Sequence, residues 1–96
     1  MMEGQASIST GILARYAADA ASEVEGVRGL AGRRGVKVNE EAGAVRVELH
    51  LAVDWGASIP EIGRAVQARV REYLGRMADV EPEAVDVVID EVGWPA

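Results

Sequence analysis

The chain has 96 residues, 49% of them apolar, and a formal charge of −6 at pH 7. That length holds one domain, residues 1–96, around a single core, and the apolar share is too high for extended disorder. There is no cysteine and one histidine, His50, which excludes a disulfide frame, a thiol nucleophile and a Cys- or His-rich metal site.

Gly4 to Ile8 reads as a short first strand, with Ala6 and Ile8 on one face. Ser9 follows as an N-cap, its hydroxyl free to accept from a first-turn N–H. A helix is expected from about Thr10 to Val24, with Ile12, Tyr16, Ala20 and Val24 as a stripe broadened by Leu13, Ala17 and Ala21. Gly26 stands where a left-handed C-terminal cap is expected. Gly26, Gly29, Gly32 and Gly35 mark either a connection or an entry to a strand at Val27–Leu30. Val36 and Val38 form a second strand, and Asn39 to Gly43 carries hairpin chemistry. Val45, Val47, Leu49, Leu51 and Val53 then alternate with Arg46, Glu48, His50, Ala52 and Asp54, the pattern of a strand buried on one face only.

Gly56 ends that strand, and Ser58-Ile59-Pro60-Glu61 is a capping box. A second helix should run to about Met77, burying Ile59, Ile62, Val66, Val70, Tyr73 and Met77. Pro82 prevents its continuation, and Val85, Val87 and Ile89 form the last strand. The resulting order is β-α-β-β-α-β. It implies an α+β two-layer sandwich with two helices on one face of a mostly antiparallel sheet, for which a ferredoxin-like connection is the commonest arrangement.

Charge is segregated along the chain. Nine of the ten bases fall between Arg28 and Arg76, while residues 77–96 hold six acids and no base. Such an acidic balance disfavours phosphate, so nucleic acid is not the expected partner. Gly29-Leu-Ala-Gly32 and Gly32-Arg-Arg-Gly35 match the GxxG loop of KH modules, but KH modules set that loop between two helices. No run is long and apolar enough to span a membrane, and Met1 to Ser9 lacks the regions of a signal peptide, so a cytoplasmic protein without direct membrane insertion is expected.

His50 would need a partner such as Glu48 or Asp54 for base or ligand chemistry, and its plainer reading is a solvent-facing strand residue. Asp54, Asp90 and Glu91 read as solvated acids, since general acid–base work requires a desolvated carboxyl. Two of the five hydroxyls are caps, and none lies in a nucleophile elbow. No catalytic, metal or cofactor residues are therefore assigned. The candidate contact residues are Arg33 and Arg34 in the glycine-rich connection, Arg64 and Arg71 on the outer face of the second helix, and Trp55 and Trp94 as aromatic anchors.

Gly4-Gln-Ala-Ser-Ile-Ser9, Ala20-Ala-Ser-Glu-Val-Glu-Gly-Val27, Gly35-Val-Lys-Val38, the strand ending in Asp54-Trp-Gly56, Ile59-Pro-Glu61 with Val66-Gln67, and Val85-Asp-Val-Val-Ile89 follow one another in a known order. In these segments the chain resembles the alkaline shock protein family, the general or envelope stress response proteins of Gram-positive bacteria. Trp55 stands where that family often has Tyr, and the segment from Gly26 to Gly35 is shorter than in many members. The resemblance implies a non-enzymatic protein of cell-envelope stress homeostasis. It would act by self-association and by docking to a membrane-anchored or envelope-associated partner. A small-molecule regulatory module is the first alternative, because the same element order occurs in amino-acid-sensing domains and some family members are tied to lipid synthesis; nucleic-acid binding through the Gly29–Gly35 loop is the second, against the charge balance.

Overall fold

The computed structural model describes residues 8–32 and 35–94. Its elements in chain order are α1 (Thr10–Ser22), β1 (Val27–Leu30), β2 (Val36–Glu41), β3 (Ala44–Asp54), α2 (Ile59–Ala78) and β4 (Ala84–Gly93). The strand expected at Gly4–Ile8 lies outside the described residues except for Ile8, which is not in a strand. The strand at Val27–Leu30 is present.

Both helices start on a serine. Ser9 Oγ accepts from the Ile12 N–H at 3.2 Å, and Ser58 Oγ accepts from the Glu61 N–H at 3.4 Å, with Pro60 in the first turn of α2. Gly26 has the expected left-handed sign, φ +95°, but it is not the cap of α1. Glu23 caps that helix in a right-handed conformation, and Gly26 instead occupies the third position of a turn closed by Val27 N–H to Val24 O at 3.1 Å. Asp79, with φ +54°, ends α2, and the Val80 N–H reaches back to Leu74 O at 3.1 Å.

β3 is the centre of the sheet. β2 pairs antiparallel with its first half (Val36↔Leu49 to Glu41↔Ala44) and β1 antiparallel with its second half (Leu30↔Leu51 to Val27↔Val53), so both lie on the same edge. β4 runs parallel to β3 along the other edge, from Arg46↔Ala84 to Asp54↔Gly93. Two of the three pairings among the described residues are antiparallel, and the parallel one is the consequence of the α2 crossover. The β2–β3 hairpin turns on Ala42 (φ +52°) and Gly43 (φ +83°), the sign pattern of a type I′ turn.

The β1 pairing ends at Leu30↔Leu51 and the β2 pairing begins at Val36↔Leu49, so His50 is the single residue of β3 between them. His50 holds both ends of the connection from β1 to β2: its carbonyl accepts from the Ala31 N–H and its N–H donates to Gly35 O, each at 2.7 Å. Leu30 and Gly35 are thereby pressed together, and a Cβ on Gly35 would collide with Leu30 Cβ. The connection joins two strands, β1 and β2, and not two helices as a KH loop does.

α1 and α2 pack on one face of this sheet. The core joins Val45, Val47, Leu49, Leu51 and Val53 of β3 to Leu13, Ala17, Ala20 and Ala21 of α1, to Ile62, Val66, Val70 and Leu74 of α2, and to Val85. Each fully buried Val, Leu or Ile side chain contributes about 1.5–3 kcal/mol. The alanines of α1 let the helices approach closely. Tyr16 and Tyr73 meet edge-on between them, their ring centroids 5.8 Å apart. The buried stripes are turned from the sequence expectation. Ile12 and Met77 are 43% exposed and Ile59 44%, whereas Leu74 is fully buried. Each helix divides its apolar surface between the sheet and the other helix, so the stripe centre falls between the two. The result is an α+β two-layer sandwich with one bare sheet face.

Candidate interaction surface

The alternation of β3 that buries its valines and leucines puts Arg46, Glu48, His50, Ala52 and Asp54 on the bare face. The parallel register sets Asp86 beside Glu48 and Val88 beside His50. The register then shifts between Leu51 and Ala52, leaving Asp90 as the extra residue of β4 before Glu91 aligns with Ala52.

That bulge brings Asp90 to His50. His50 Nδ1 lies 2.8 Å from Asp90 Oδ2 and its Nε2 lies 2.7 Å from Glu48 Oε2. A neutral imidazole has only one N–H to give, so two such contacts to ionised carboxylates describe an imidazolium donating on both sides. The hydrogen bond to Glu48 first, and that to Asp90 second, raise the pKa of His50 above its ordinary value. His50 is thus not a free solvent-facing residue, and its second partner is Asp90 rather than Asp54. With both nitrogens held by acids, it joins β3 to β4 across the bare face and has no lone pair free for a substrate proton. Among the described residues no group of three or more His, Cys, Asp or Glu is placed to hold a metal ion.

Asp54 belongs to a second cluster at the end of the same face. Arg28 Nη1 lies 3.5 Å from Asp54 Oδ1. The Arg28 side chain extends from β1 across β3 to rest over Gly93, where a Cβ would come within 2.6 Å of its Nε. The Trp55 N–H donates to Gly93 O at 2.8 Å, closing the ends of β3 and β4. This tie brings together two residues that are 39 positions apart in the sequence: the Trp55 and Trp94 rings stack at 4.8 Å with 20° between their planes. Trp55 is 54% and Trp94 69% exposed, so the stacked pair is a surface feature.

The arginines expected to make contacts part company. Arg33 and Arg34 lie outside the described residues. Arg71 Nη1 donates to Pro82 O at 2.8 Å and ties α2 to the segment leading into β4. Arg64 is exposed and forms no ion pair with any described residue. The structure therefore joins Trp55 to Trp94 and leaves the two helix arginines in different roles. Arg28, His50 with its two acids, and Gln67, whose amide donates to Val85 O at 3.1 Å, were not singled out as a surface from the sequence. Glu48 and His50, two apart on an alternating strand, were the only legible part of the first cluster.

These features define a class: a small α+β two-layer domain with a bare, charged sheet face, an exposed aromatic pair and, among the described residues, no helix long and apolar enough to cross a membrane. The model of the alkaline shock protein family, whose description is "cell envelope-related function", matches residues 31–94, two thirds of the chain. The chain belongs to that family, as its sequence resemblance implied. Among relatives, YloU of Bacillus subtilis (strain 168) is 24% identical over 106 aligned positions, covering 93% of this chain and 88% of YloU. YqhY of the same organism is 26% identical over 101 positions, covering 90% and 75%. Solved structures of MamM CTD share the fold. One superposes with a TM-score of 0.67 at 22% identity, covering 86% of this chain and 99% of that one. Another, described as a manganese form, gives 0.66 at 23% with the same coverage.

Proposed function

We propose that this protein is a non-enzymatic interaction module of cell-envelope stress homeostasis. It works at the cytoplasmic side of the membrane, by associating with itself and by docking to a membrane-anchored or envelope-associated partner. The observation that carries the reading is the stacked pair Trp55–Trp94, 54% and 69% exposed in a protein whose fully buried core is aliphatic. Tryptophan is the residue type most enriched at binding hot spots, and a pair that fixes its own geometry loses little side-chain entropy on being covered. Arg64 on the outer face of α2 and the Arg33–Arg34 segment are secondary contact candidates. The saturated hydrogen bonding of His50 supports a role without proton transfer.

Sedimentation velocity over a wide concentration range tests self-association. The wild type should form dimers or larger species at high concentration and low salt. Changing Trp55→Ala and Trp94→Ala together should push association to concentrations higher by about tenfold or more, the scale of a hot-spot loss. A wild type that stays strictly monomeric, or a double variant that associates unchanged, overturns this part of the reading. For docking, the wild type should fractionate with the envelope in its own cells and the double variant should not.

A further inference from the structure

From the edge of β4 that no described strand covers we infer a docking site for an extended, basic segment of a different polypeptide, added to the sheet as a further strand. The inference rests on the interaction role proposed above and names the surface and the chemistry of the partner.

Among the described residues the backbone of β4 is paired on one side only. His50 spends both its backbone groups on the β1/β2 side, so the odd-numbered residues of β3 turn theirs toward β4, as the Trp55 N–H to Gly93 O bond illustrates. In a parallel ladder a bonded residue stands beside a partner whose own groups point away. Leu49 pairs with Val87, Leu51 with Ile89 and Val53 with Val92, so these three residues of β4 present N–H and C=O to the open edge. Val85 is oriented in the same way, and its carbonyl is already occupied by the Gln67 amide at 3.1 Å. A strand added from Val87 to Val92 would find its donors and acceptors waiting.

The charge along this edge selects the occupant. Asp86, Asp90 and Glu91 lie in β4, and residues 77–96 contain no base. Asp90 is matched by His50 and the nearby Glu83 by Arg46 at 2.8 Å. Asp86 and Glu91 have no ion-pair partner among the described residues. A second copy of β4 would set these acids against one another, which is how edge strands resist self-pairing. Nucleic acid and anionic lipid are repelled for the same reason. A strand with Lys or Arg at alternate positions meets Asp86 and Glu91 while its backbone completes the ladder, the mode by which sheet edges capture peptides. The opposite edge is interrupted between Leu30 and Val36 and cannot offer a comparable row.

The test is an NMR titration of the full chain, ¹⁵N-labelled, with a peptide of about ten residues, the length of β4, in which Lys alternates with Thr. The amides of Val87, Ile89 and Val92 should shift and exchange more slowly with solvent, and the effect should weaken as salt is raised. The same peptide with Glu for Lys should not bind. Asp86→Lys with Glu91→Lys, its fold checked by its own spectrum, should weaken binding by about tenfold. Should that variant not fold, a Lys peptide with Pro at alternate positions replaces it, since it keeps the charge and removes the donors, and it should fail to bind. Shifts confined to other elements, equal binding of the Glu peptide, or undiminished binding by the double variant or to the Pro peptide overturns the site. Sedimentation reports on self-association separately, so wild-type protein that associates but ignores the Lys peptide refutes this site alone.

Discussion

Replacing Leu74 by alanine measures where α2 meets the sheet. Leu74 is fully buried and belongs to the core with Val66 and Val70, while Met77, one turn further, is 43% exposed. Removing three carbons from a closed site costs the lost transfer energy and the cavity left behind, together about 2–5 kcal/mol. A domain of this size has a total stability of about 5–14 kcal/mol, so the loss is a large fraction of the whole. At roughly 4–8 °C per kcal/mol the midpoint should fall by about 8–40 °C. Met77→Ala removes a side chain of similar size and similar helix propensity, and should cost less than about 1 kcal/mol. Urea unfolding followed by circular dichroism gives both numbers, with unchanged slopes expected because the folded surface is nearly the same. Equal losses in the two variants, or a loss at Leu74 below about 1 kcal/mol, would refute the placement of the helix.

Other consequences concern charge and local backbone. The pKa of His50 is raised in the folded state, so its clamp contributes in full below the unfolded value of 6.5 and is lost as pH rises through the higher folded value. The thermal midpoint should therefore fall from neutral into mildly alkaline solution, and His50→Gln should flatten that slope. Ser9→Ala should cost about 0.5–1 kcal/mol in urea unfolding, because it removes the side-chain acceptor of the Ile12 N–H and leaves only the Ser9 carbonyl at 3.1 Å. Ala42 has φ +52°, so Ala42→Asn should stabilise the hairpin by up to about 1 kcal/mol, and a lower unfolding midpoint would show that the turn is not type I′.

Much of the architecture is legible because it is local. Ser9 and Ser58 cap the helices that follow them, and the alternation from Val45 to Val53 gives β3 within a residue of its limits. What stayed hidden depends on partners distant in sequence. Gly26 carries the expected backbone sign, yet its role is set by a turn into β1 that exists only because β1 pairs with β3. Met77 reads as apolar at the right spacing, but periodicity does not say how a helix shares its surface between a sheet and a second helix. The contact of His50 with Asp90 needs both the parallel register and its one-residue shift, neither of which leaves a sequence signature. Trp55 and Trp94 are each visible as candidates, whereas their stacking is a property of two strand ends meeting.

The connection held by His50 separates the length of one segment from the geometry of everything else. Its two ends are fixed by bonds to a single residue, so the register of β1 and β2 does not depend on how many residues lie between Gly32 and Gly35. Closing a longer loop costs only about 0.6 kcal/mol for each doubling of its length. The fold therefore contains a place where sequence can be inserted or exchanged at little expense to the sheet, and an epitope grafted there should leave the rest of the molecule unaltered.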